Sequence, residues 1–203
     1  YHDFEEDIPD SFKILKMLED MDSNISEEKE KPLQPISENI LSYYKPYVND
    51  LFYEDYIDYE TQREFEIGFD EETNRYTIPI RSELGDLVGV KARYFDRKVP
   101  DGMSKYIYLE PCAKSKIIYG LYKTLPYIKR VGRIYVGEAE KFVEQAWSYG
   151  YRNTGGTGGK ELSQYQIDLL VRLGVDIIFC FDKDVTKEEL EELAERFPEG
   201  VPL

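Results

Sequence analysis

Three carboxylates directly follow two short apolar runs in the second half of the chain. Glu138 comes after residues 133–137, and Asp182 and Asp184 come after residues 175–181. Both runs are rich in β-branched and aromatic residues, which is typical of buried strands. Segments with apolar residues at helical spacing lie between and after them, so the order of elements predicts a parallel sheet covered by helices. The carboxyl ends of parallel strands share one edge of a sheet, where we expect the three acids to lie together.

Carboxylates gathered at one edge repel each other unless a cation joins them. Mg²⁺ prefers oxygen ligands and often shares its coordination with substrate phosphates. A pair of such ions stabilises the attacking and leaving oxygens in phosphoryl or nucleotidyl transfer. The alternative is that acids after strands only cap the following helices, and an isolated Asp-x-Asp pattern favours that interpretation. The combination of Glu138 with Asp182 and Asp184 on a strand–helix–strand pattern favours Mg²⁺-dependent phosphate chemistry.

Composition restricts the class of protein. The chain has 203 residues, enough to bury a substantial core in one large or two small domains. No apolar run reaches membrane-spanning length and no secretory signal is present, so we expect no membrane partner. Cys112 and Cys180 are far apart, which argues against a zinc site and fits a reducing cytoplasm. The chain begins at Tyr1 rather than Met, which indicates a fragment of a longer protein.

The charge is distributed unevenly. The formal net charge is −15, and residues 1–60 contain 17 acids against 5 lysines. Residues 91–133 instead contain 11 Lys and Arg against 3 acids, a local charge of +8. A basic middle between acidic ends indicates a phosphate-binding face. On charge alone, a solvated lysine-rich surface is an equally good interpretation.

The elements that must position these groups divide the chain into three predicted regions. Residues 1–35 combine a short amphipathic helix with an acidic, polar linker. Residues 36–130 have an α+β pattern, in which the strand-like runs 75–80 and 87–94 flank a glycine turn and predict an antiparallel hairpin. Residues 131–203 carry the alternating strand–helix pattern. The predicted fold class is mixed α/β: an α+β subdomain followed by an α/β subdomain with a mostly parallel sheet, truncated at its C-terminus.

An aromatic-rich stretch lies near the start of the second region. It contains seven aromatic residues between positions 43 and 59. Bases can stack on exposed rings, but here only Lys45 is interleaved to bind phosphate. We therefore expect these rings to pack in a core.

Several short motifs between residues 67 and 184 resemble those of DnaG-type bacterial primases. In the order and spacing of that family, the chain has Ile67-Gly-Phe, Ile78-Pro-Ile-Arg81, Gly85, Gly89-Val-Lys-Ala-Arg93, Ser104-Lys105-Tyr-Ile-Tyr-Leu and Ala113-Lys114-Ser-Lys116-Ile-Ile-Tyr119-Gly-Leu121. The Glu followed by Asp-x-Asp resembles the TOPRIM domain that primases share with topoisomerases and some nucleases. The preceding motifs select the primases among these, so the resemblance implies the catalytic core of a bacterial or phage-encoded primase.

The resemblance implies a metal-dependent RNA polymerase. Glu138, Asp182 and Asp184 would bind Mg²⁺, for which Mn²⁺ could substitute. One ion would help to activate the 3′-hydroxyl of the primer and another would stabilise the pyrophosphate leaving group. The implied reaction is template-directed synthesis of short RNA primers on single-stranded DNA during replication, at the replication fork in the cytoplasm.

The resemblance also implies a basic binding surface and a partner. Five basic residues match positions in the family motifs and would hold the ribonucleoside triphosphate and the template backbone. These residues are Arg81, Arg93, Lys105, Lys114 and Lys116. A replicative helicase would bind through regions outside this chain.

The chain departs from the family pattern at several positions. Phe142 stands where many relatives carry Asp, and Lys91 and Ala92 replace two glycines before Arg93. The glycine turn at 154–159 could present backbone N–H groups to phosphate or serve only as a tight turn. Further metal-binding acids would lie beyond the end of the chain. Two alternatives therefore remain: a TOPRIM nuclease that hydrolyses DNA with the same acids, or a degenerate, non-catalytic DNA-binding subunit.

Overall fold

The computed structural model describes residues 33–203, of which Gln34–Leu203 form a compact unit. The helix and linker predicted for residues 1–35 lie almost entirely outside the described residues. The described part holds two sheets, one on each side of the predicted boundary at residue 130. In the described residues, no helix is long and apolar enough to span a membrane.

The first sheet has five antiparallel strands in the order β1-β2-β3-β4-β5. Their bounds are Lys45–Pro46, Gly68–Asp70, Arg75–Arg81, Leu87–Tyr94 and Tyr106–Glu110. β3 and β4 pair along most of their length, from Arg75 opposite Tyr94 to Arg81 opposite Leu87. The predicted antiparallel hairpin is therefore confirmed.

The second sheet has three strands in the order β7-β6-β8, and both pairs are parallel. β6 comprises Arg133–Gly137, β7 Thr154–Gly156 and β8 Asp176–Phe179. The central strand β6 pairs Val136 with Phe179 of β8. This sheet confirms the mixed α/β prediction.

Six α-helices and two short 3₁₀ helices connect the strands in the described residues. The α-helices are α1 Asp50–Glu54, α2 Tyr59–Glu64, α3 Leu121–Val131, α4 Glu140–Ser148, α5 Gln164–Leu173 and α6 Lys187–Glu195. The 3₁₀ helices comprise Glu38–Tyr43 and Lys114–Lys116. Capping boxes start the two helices that flank β8: Ser163 caps α5 and Thr186 caps α6.

A core of apolar residues forms around the parallel sheet. Its buried members come from β6, β8, α3, α5, α6 and adjoining turns: Ile118, Leu121, Ile128, Ile134, Val136, Leu162, Ile167, Leu169, Leu170, Ile177, Leu193 and Phe197. Ile134 and Ile177, on the paired strands β6 and β8, are both fully buried. The core therefore fixes β6 and β8 beside each other, and the loops that follow the two strands start at the same edge of the sheet.

β7 was predicted as part of a glycine turn, and that prediction is wrong for Thr154–Gly156. Sequence propensity disfavours a strand of Thr-Gly-Gly, but packing requires the glycines. A Cβ on Gly155 would lie 2.6 Å from Ile118 Cγ2, and one on Gly156 would lie 3.0 Å from Ala139 O. The strand passes too close to its neighbours for any side chain.

The aromatic stretch is only partly buried, so the core prediction is wrong for several of its residues. Phe52 is fully buried, whereas Tyr43, Tyr47, Tyr53 and Tyr56 are among the exposed large residues. The helix α1 is five residues long, and only Phe52 in it is buried. Tyrosine tolerates partial exposure because its hydroxyl reaches water while its ring packs locally. The rings of Tyr53 and Tyr59, for example, stack with their centres 4.8 Å apart.

Candidate active site

The carboxylates singled out in the sequence meet at the edge of the parallel sheet. Glu138 follows the last residue of β6, and Asp182 and Asp184 follow β8. One carboxylate oxygen from each lies within 4.8 Å of the other two. The backbone N–H of Asp182 donates to Glu138 Oε1 at 3.1 Å, which ties the two loops together. The structure therefore brings Glu138 next to two acids that lie at least 44 positions further along the chain.

The three acids have the chemistry of a hard-cation site. Asp182 and Asp184 are exposed and Glu138 is half-buried, so water and a further ligand can reach the cluster. Mg²⁺ binds carboxylate oxygens and retains several waters, and it is commonly shared with phosphates. The donor set and its openness therefore fit Mg²⁺ or Mn²⁺.

Phe142 supports the strand end that carries Glu138. A Cβ on Gly137 would lie only 2.3 Å from the Phe142 ring, so the ring lies flat against the backbone of the last residue of β6. Phe142 thus contributes an apolar contact beside the acidic edge. Position 137 must be glycine for this packing.

The glycine loop after β7 is fastened to the same strand end. The backbone N–H of Thr157 donates to Gly137 O at 3.0 Å, and its hydroxyl donates to Gly159 O at 2.5 Å. Gly158 has a φ of 77°, a left-handed conformation that favours glycine. Because the Thr157 N–H is used inside the protein, the observed hydrogen bonds favour a structural turn.

Lys160, at the end of this loop, is a site residue that sequence reasoning missed. Its ammonium pairs with Glu189 of α6 at 2.9 Å. Glu189, and more weakly Asp184 and Glu138, raise the pKa of Lys160 above its ordinary value. A lysine directly after a glycine turn was the only sequence signal for this position, and such lysines are common on surfaces.

The two arginines predicted to bind nucleotide are engaged by protein groups. The Arg81 guanidinium pairs with Glu38 at 2.6 Å and with Glu66 at 2.7 Å, and its side chain is 10% exposed. Arg93, on β4, is 2% exposed and donates to Tyr94 O at 2.6 Å, while its Nε has no hydrogen-bond partner within residues 33–203. Both side chains therefore lie in the interior beside the antiparallel sheet rather than on the protein surface.

The predicted lysines differ in exposure. Lys105 and Lys114 are exposed, and Lys116 is buried. Lys114 lines an open cavity of about 440 Å³ together with Lys160 and the glycine loop at 157–159. Two lysines thus border one cavity.

A buried acid that sequence reasoning did not single out lies on α4. Glu144 is fully buried, and the hydroxyl of Tyr119 donates to its Oε1 at 2.8 Å. Its Oε2 has no hydrogen-bond partner among the residues that the structure describes. The pKa of Glu144 is raised from 4.5 to about 7: burial raises it most, the Tyr119 hydrogen bond lowers it, and the nearby Glu140 carboxylate raises it.

Replacing Glu144 with Gln should remove a pH dependence of stability. The folded state retains a proton on Glu144 at pH values where the unfolded state has lost it, so stability falls as pH rises from 4.5 to about 7. Above this range we expect Glu144→Gln to be more stable than wild type by up to about 3 kcal/mol, and to match it near the ordinary carboxyl pKa. Urea unfolding across this pH range measures the difference. Glu199→Gln, at an exposed position, is the matched control, and equal pH profiles for the two variants would refute the assignment.

The fold and the acidic edge together are typical of proteins that bind divalent cations and phosphate groups. An antiparallel sheet precedes a small parallel sheet whose carboxyl edge gathers three acids, an arrangement suited to divalent cations and phosphate groups.

Comparisons with known proteins place the chain more closely. No protein-family model matches it. The SPbeta prophage-derived uncharacterized protein YorJ of Bacillus subtilis is 30% identical over 181 residues, covering 82% of this chain and 47% of YorJ. The DNA primase of Buchnera aphidicola is 32% identical over 124 residues, covering 60% of this chain and 21% of that primase. The DNA primase of Legionella pneumophila is 30% identical over the same length.

Solved structures of primases share the fold. The Aquifex aeolicus primase, comprising zinc-binding and RNA polymerase domains, superposes with a TM-score of 0.68 at 20% identity, covering 91% of this chain and 60% of that one. A DnaG primase catalytic domain bound to single-stranded DNA gives 0.62 at 19% identity, covering 77% and 62%. The chain therefore has the fold of the DnaG-type primase catalytic core and is related in sequence to bacterial DNA primases. It spans between about a fifth and just under half of the curated relatives named above.

Proposed function

We propose that this protein is the catalytic core of a DNA primase, a template-directed RNA polymerase that makes short RNA primers from ribonucleoside triphosphates on single-stranded DNA. The observation that carries the proposal is the meeting of Glu138, Asp182 and Asp184 at one sheet edge, within 4.8 Å, on a primase-core fold. Within this proposal, residues 36–130 form the N-terminal subdomain of the core and residues 131–203 form a TOPRIM subdomain.

The acidic edge would hold the divalent cations. Glu138, Asp182 and Asp184 would bind Mg²⁺, or Mn²⁺ in its place, and their exposure leaves room for phosphate oxygens. When bound, these ions supply charge stabilisation for the attacking 3′-oxygen and the leaving pyrophosphate. The hydrogen bond from Asp182 N–H to Glu138 holds the two loops in register before any ion binds.

The lysines would bind the triphosphate and the template. Lys105 and Lys114 have exposed ammonium groups that can approach phosphate oxygens directly. Lys160 lines the same cavity as Lys114 and adds positive charge beside the acidic edge. These contacts are independent of base sequence, so the template would select the incoming base by pairing.

The buried basic residues would act from behind the binding face. Arg93 and Lys116 are almost entirely enclosed, and the charge of Arg81 is balanced by two carboxylates. We assign all three a supporting role, in which they hold the segments next to the exposed lysines, since their exposed area is too small for a broad contact with DNA. In the cell, the partners would be single-stranded DNA, ribonucleoside triphosphates and a replicative helicase at the replication fork in the cytoplasm.

Primer synthesis is the direct test. The full-length protein that contains this chain is incubated with single-stranded DNA, labelled ribonucleotides and either Mg²⁺ or Mn²⁺, with template-free and metal-free reactions as controls. We expect short labelled RNA that requires both template and metal. Metal-dependent cutting of the template without RNA would instead favour the TOPRIM nuclease. DNA binding without either product would favour a non-catalytic subunit, for which Phe142 in place of an acid is the supporting observation.

A further inference from the structure

A buried ion pair joins the antiparallel sheet to the first turn of α4. The Nζ of Lys91, on β4, lies 2.9 and 2.7 Å from the two carboxylate oxygens of Glu140. The Lys91 side chain is 15% exposed and that of Glu140 is 6% exposed. The same ammonium lies 4.9 Å from the centre of the Tyr106 ring on β5, a cation–π contact. Lys91 therefore links three elements: its own strand β4, the neighbouring strand β5 and the helix α4.

Lys91 and Glu140 each lie two positions from a residue of the proposed active site. Glu140 is the first residue of α4 and lies two positions after Glu138. Lys91 lies two positions before Arg93 on the same strand, so the two side chains share one face of the sheet. Tyr106 directly follows Lys105. The ion pair thus connects the acidic edge to the strands that carry the basic residues.

We propose that Lys91 and Glu140 are positioning residues, whose ion pair sets the separation between the acidic edge and the exposed Lys105, which directly precedes β5. The inference rests on the proposed function and deepens it, because it states how the metal-bound part of a nucleotide and the part held by Lys105 are kept in line. Neither residue touches the reacting atoms.

The energetics favour a geometric role over a stabilising one. Enclosing two charges costs several kcal/mol of desolvation, and a well-packed apolar pair is often as stable. What an ion pair adds is a defined distance and direction. Here the Lys91 ammonium contacts both carboxylate oxygens of Glu140, which restricts rotation of that side chain. Glu140 also lines a cavity of about 10 Å³ with Lys114 and Thr157, two residues that also line the open cavity of about 440 Å³.

The helix α4 offers a matched control. Lys141, next to Glu140, pairs with Asp55 in the turn after α1, and both side chains are less than 20% exposed. Gln145 Nε2 also donates to Asp55 O at 2.7 Å. Asp55 also pairs with Arg97 in the loop after β4. Within the described residues, this second anchor holds the same helix through ion pairs and a hydrogen bond that reach no strand carrying a proposed basic site residue. A purely structural role for α4 anchoring predicts similar effects from losing either pair.

The test compares two neutral double variants of the full-length protein: Lys91→Met with Glu140→Gln, and Lys141→Met with Asp55→Asn. Replacing both partners avoids leaving a buried unpaired charge, so each variant should remain folded, which thermal unfolding checks. We expect the first variant to lose roughly 10–100-fold in kcat for primer synthesis, since small misplacement of reacting groups has effects of that size. The control variant should retain the wild-type kcat. Restoration of most of the lost kcat by Lys91→Glu with Glu140→Lys would further support a role for the pair itself.

A binding measurement separates this inference from the proposed function. The affinity for ATP is titrated with and without Mn²⁺, and the ratio of the two dissociation constants reports how well the metal and basic sites act on one nucleotide. We expect Lys91→Met with Glu140→Gln to keep ATP and Mn²⁺ binding separately but to bring this ratio close to one. If the wild type makes no primers yet shows a ratio that only this variant loses, the positioning role stands and the primase assignment falls. If the variant keeps the wild-type ratio and kcat, if both double variants lose them equally, or if the wild type shows no such ratio, the positioning role is refuted.

Discussion

Asp182→Asn should abolish primer synthesis while leaving the protein folded. The change keeps the size of the side chain but removes one of three negative charges that lie within 4.8 Å of each other. Asp182 would act through the bound ions, and loss of one group that stabilises developing charge typically reduces rates by roughly 10²–10³-fold. Because like charges repel, the metal-free variant should melt at the same temperature as the wild type or at a higher one. Primer yield over time, and melting with and without Mn²⁺, measure both effects.

Two further variants make this prediction specific. Glu138→Gln and Asp184→Asn should lose both synthesis and the Mn²⁺-dependent rise in melting temperature, as Asp182→Asn does. Asp168→Asn is the matched control because Asp168 is an exposed acid on α5, away from the cluster. Retained synthesis in Asp182→Asn would remove this residue from the metal site. A metal-independent loss of folding would show that the carboxylate has a structural role instead.

The sequence predicted the acidic edge because topology constrains it strongly. Residues 133–137 and 176–179 carry the β-branched and aromatic residues of buried strands, and a parallel arrangement places their ends at one edge. The register of β6 and β8 then brings Glu138 beside Asp182, although 44 positions separate them. Local pattern and chain topology were sufficient for this part of the site.

Close packing and exposure were not predictable in the same way. β7 consists of Thr-Gly-Gly, in which the two glycines disfavour a strand, and its pairing depends on the space left by Ile118 and Ala139. The tyrosines at 43, 47, 53 and 56 look like core residues in the sequence. They are exposed because of how α1 and the segments around it pack. Such outcomes depend on which distant residues arrive next to a position, which a single sequence does not encode locally.

The partners of basic residues were equally hidden. A lysine or arginine in a basic segment can bind phosphate or an internal acid, and its sequence neighbours do not distinguish the two. Lys91 pairs with Glu140, 49 positions away, and Arg81 pairs with Glu38, 43 positions away. Composition located a basic segment at residues 91–133, but the structure was needed to show which basic side chains of the chain are paired with acids.

Arg81→Met should lower the free energy of unfolding by about 3 kcal/mol. The guanidinium donates to Glu38 through Nη1 at 2.6 Å, to Glu66 through Nε at 2.7 Å and to Gly85 O at 2.9 Å. Hydrogen bonding to Glu38, followed by that to Glu66, raises the pKa of Arg81 above its ordinary value, so the residue is charged at every working pH. Loss of one partner from a buried pair costs about 3–5 kcal/mol. The lower end applies because Glu38 and Glu66 are 59% and 42% exposed and can regain water.

Urea unfolding of Arg81→Met, compared with Lys45→Met, distinguishes this network from an ordinary surface pair. Lys45 pairs with Glu71 at a site where both side chains are about two-thirds exposed, and such pairs contribute at most about 1 kcal/mol. Adding Glu38→Gln and Glu66→Gln to Arg81→Met should recover part of the lost stability, since no uncompensated carboxylate then remains. If Arg81 instead contacts nucleotide directly, Arg81→Met will keep its stability and raise the KM for ribonucleotides. A stable variant with a raised KM would therefore overturn the structural assignment and place Arg81 on the binding face. An unstable variant whose KM is unchanged at low temperature would establish that Arg81 stabilises the antiparallel sheet.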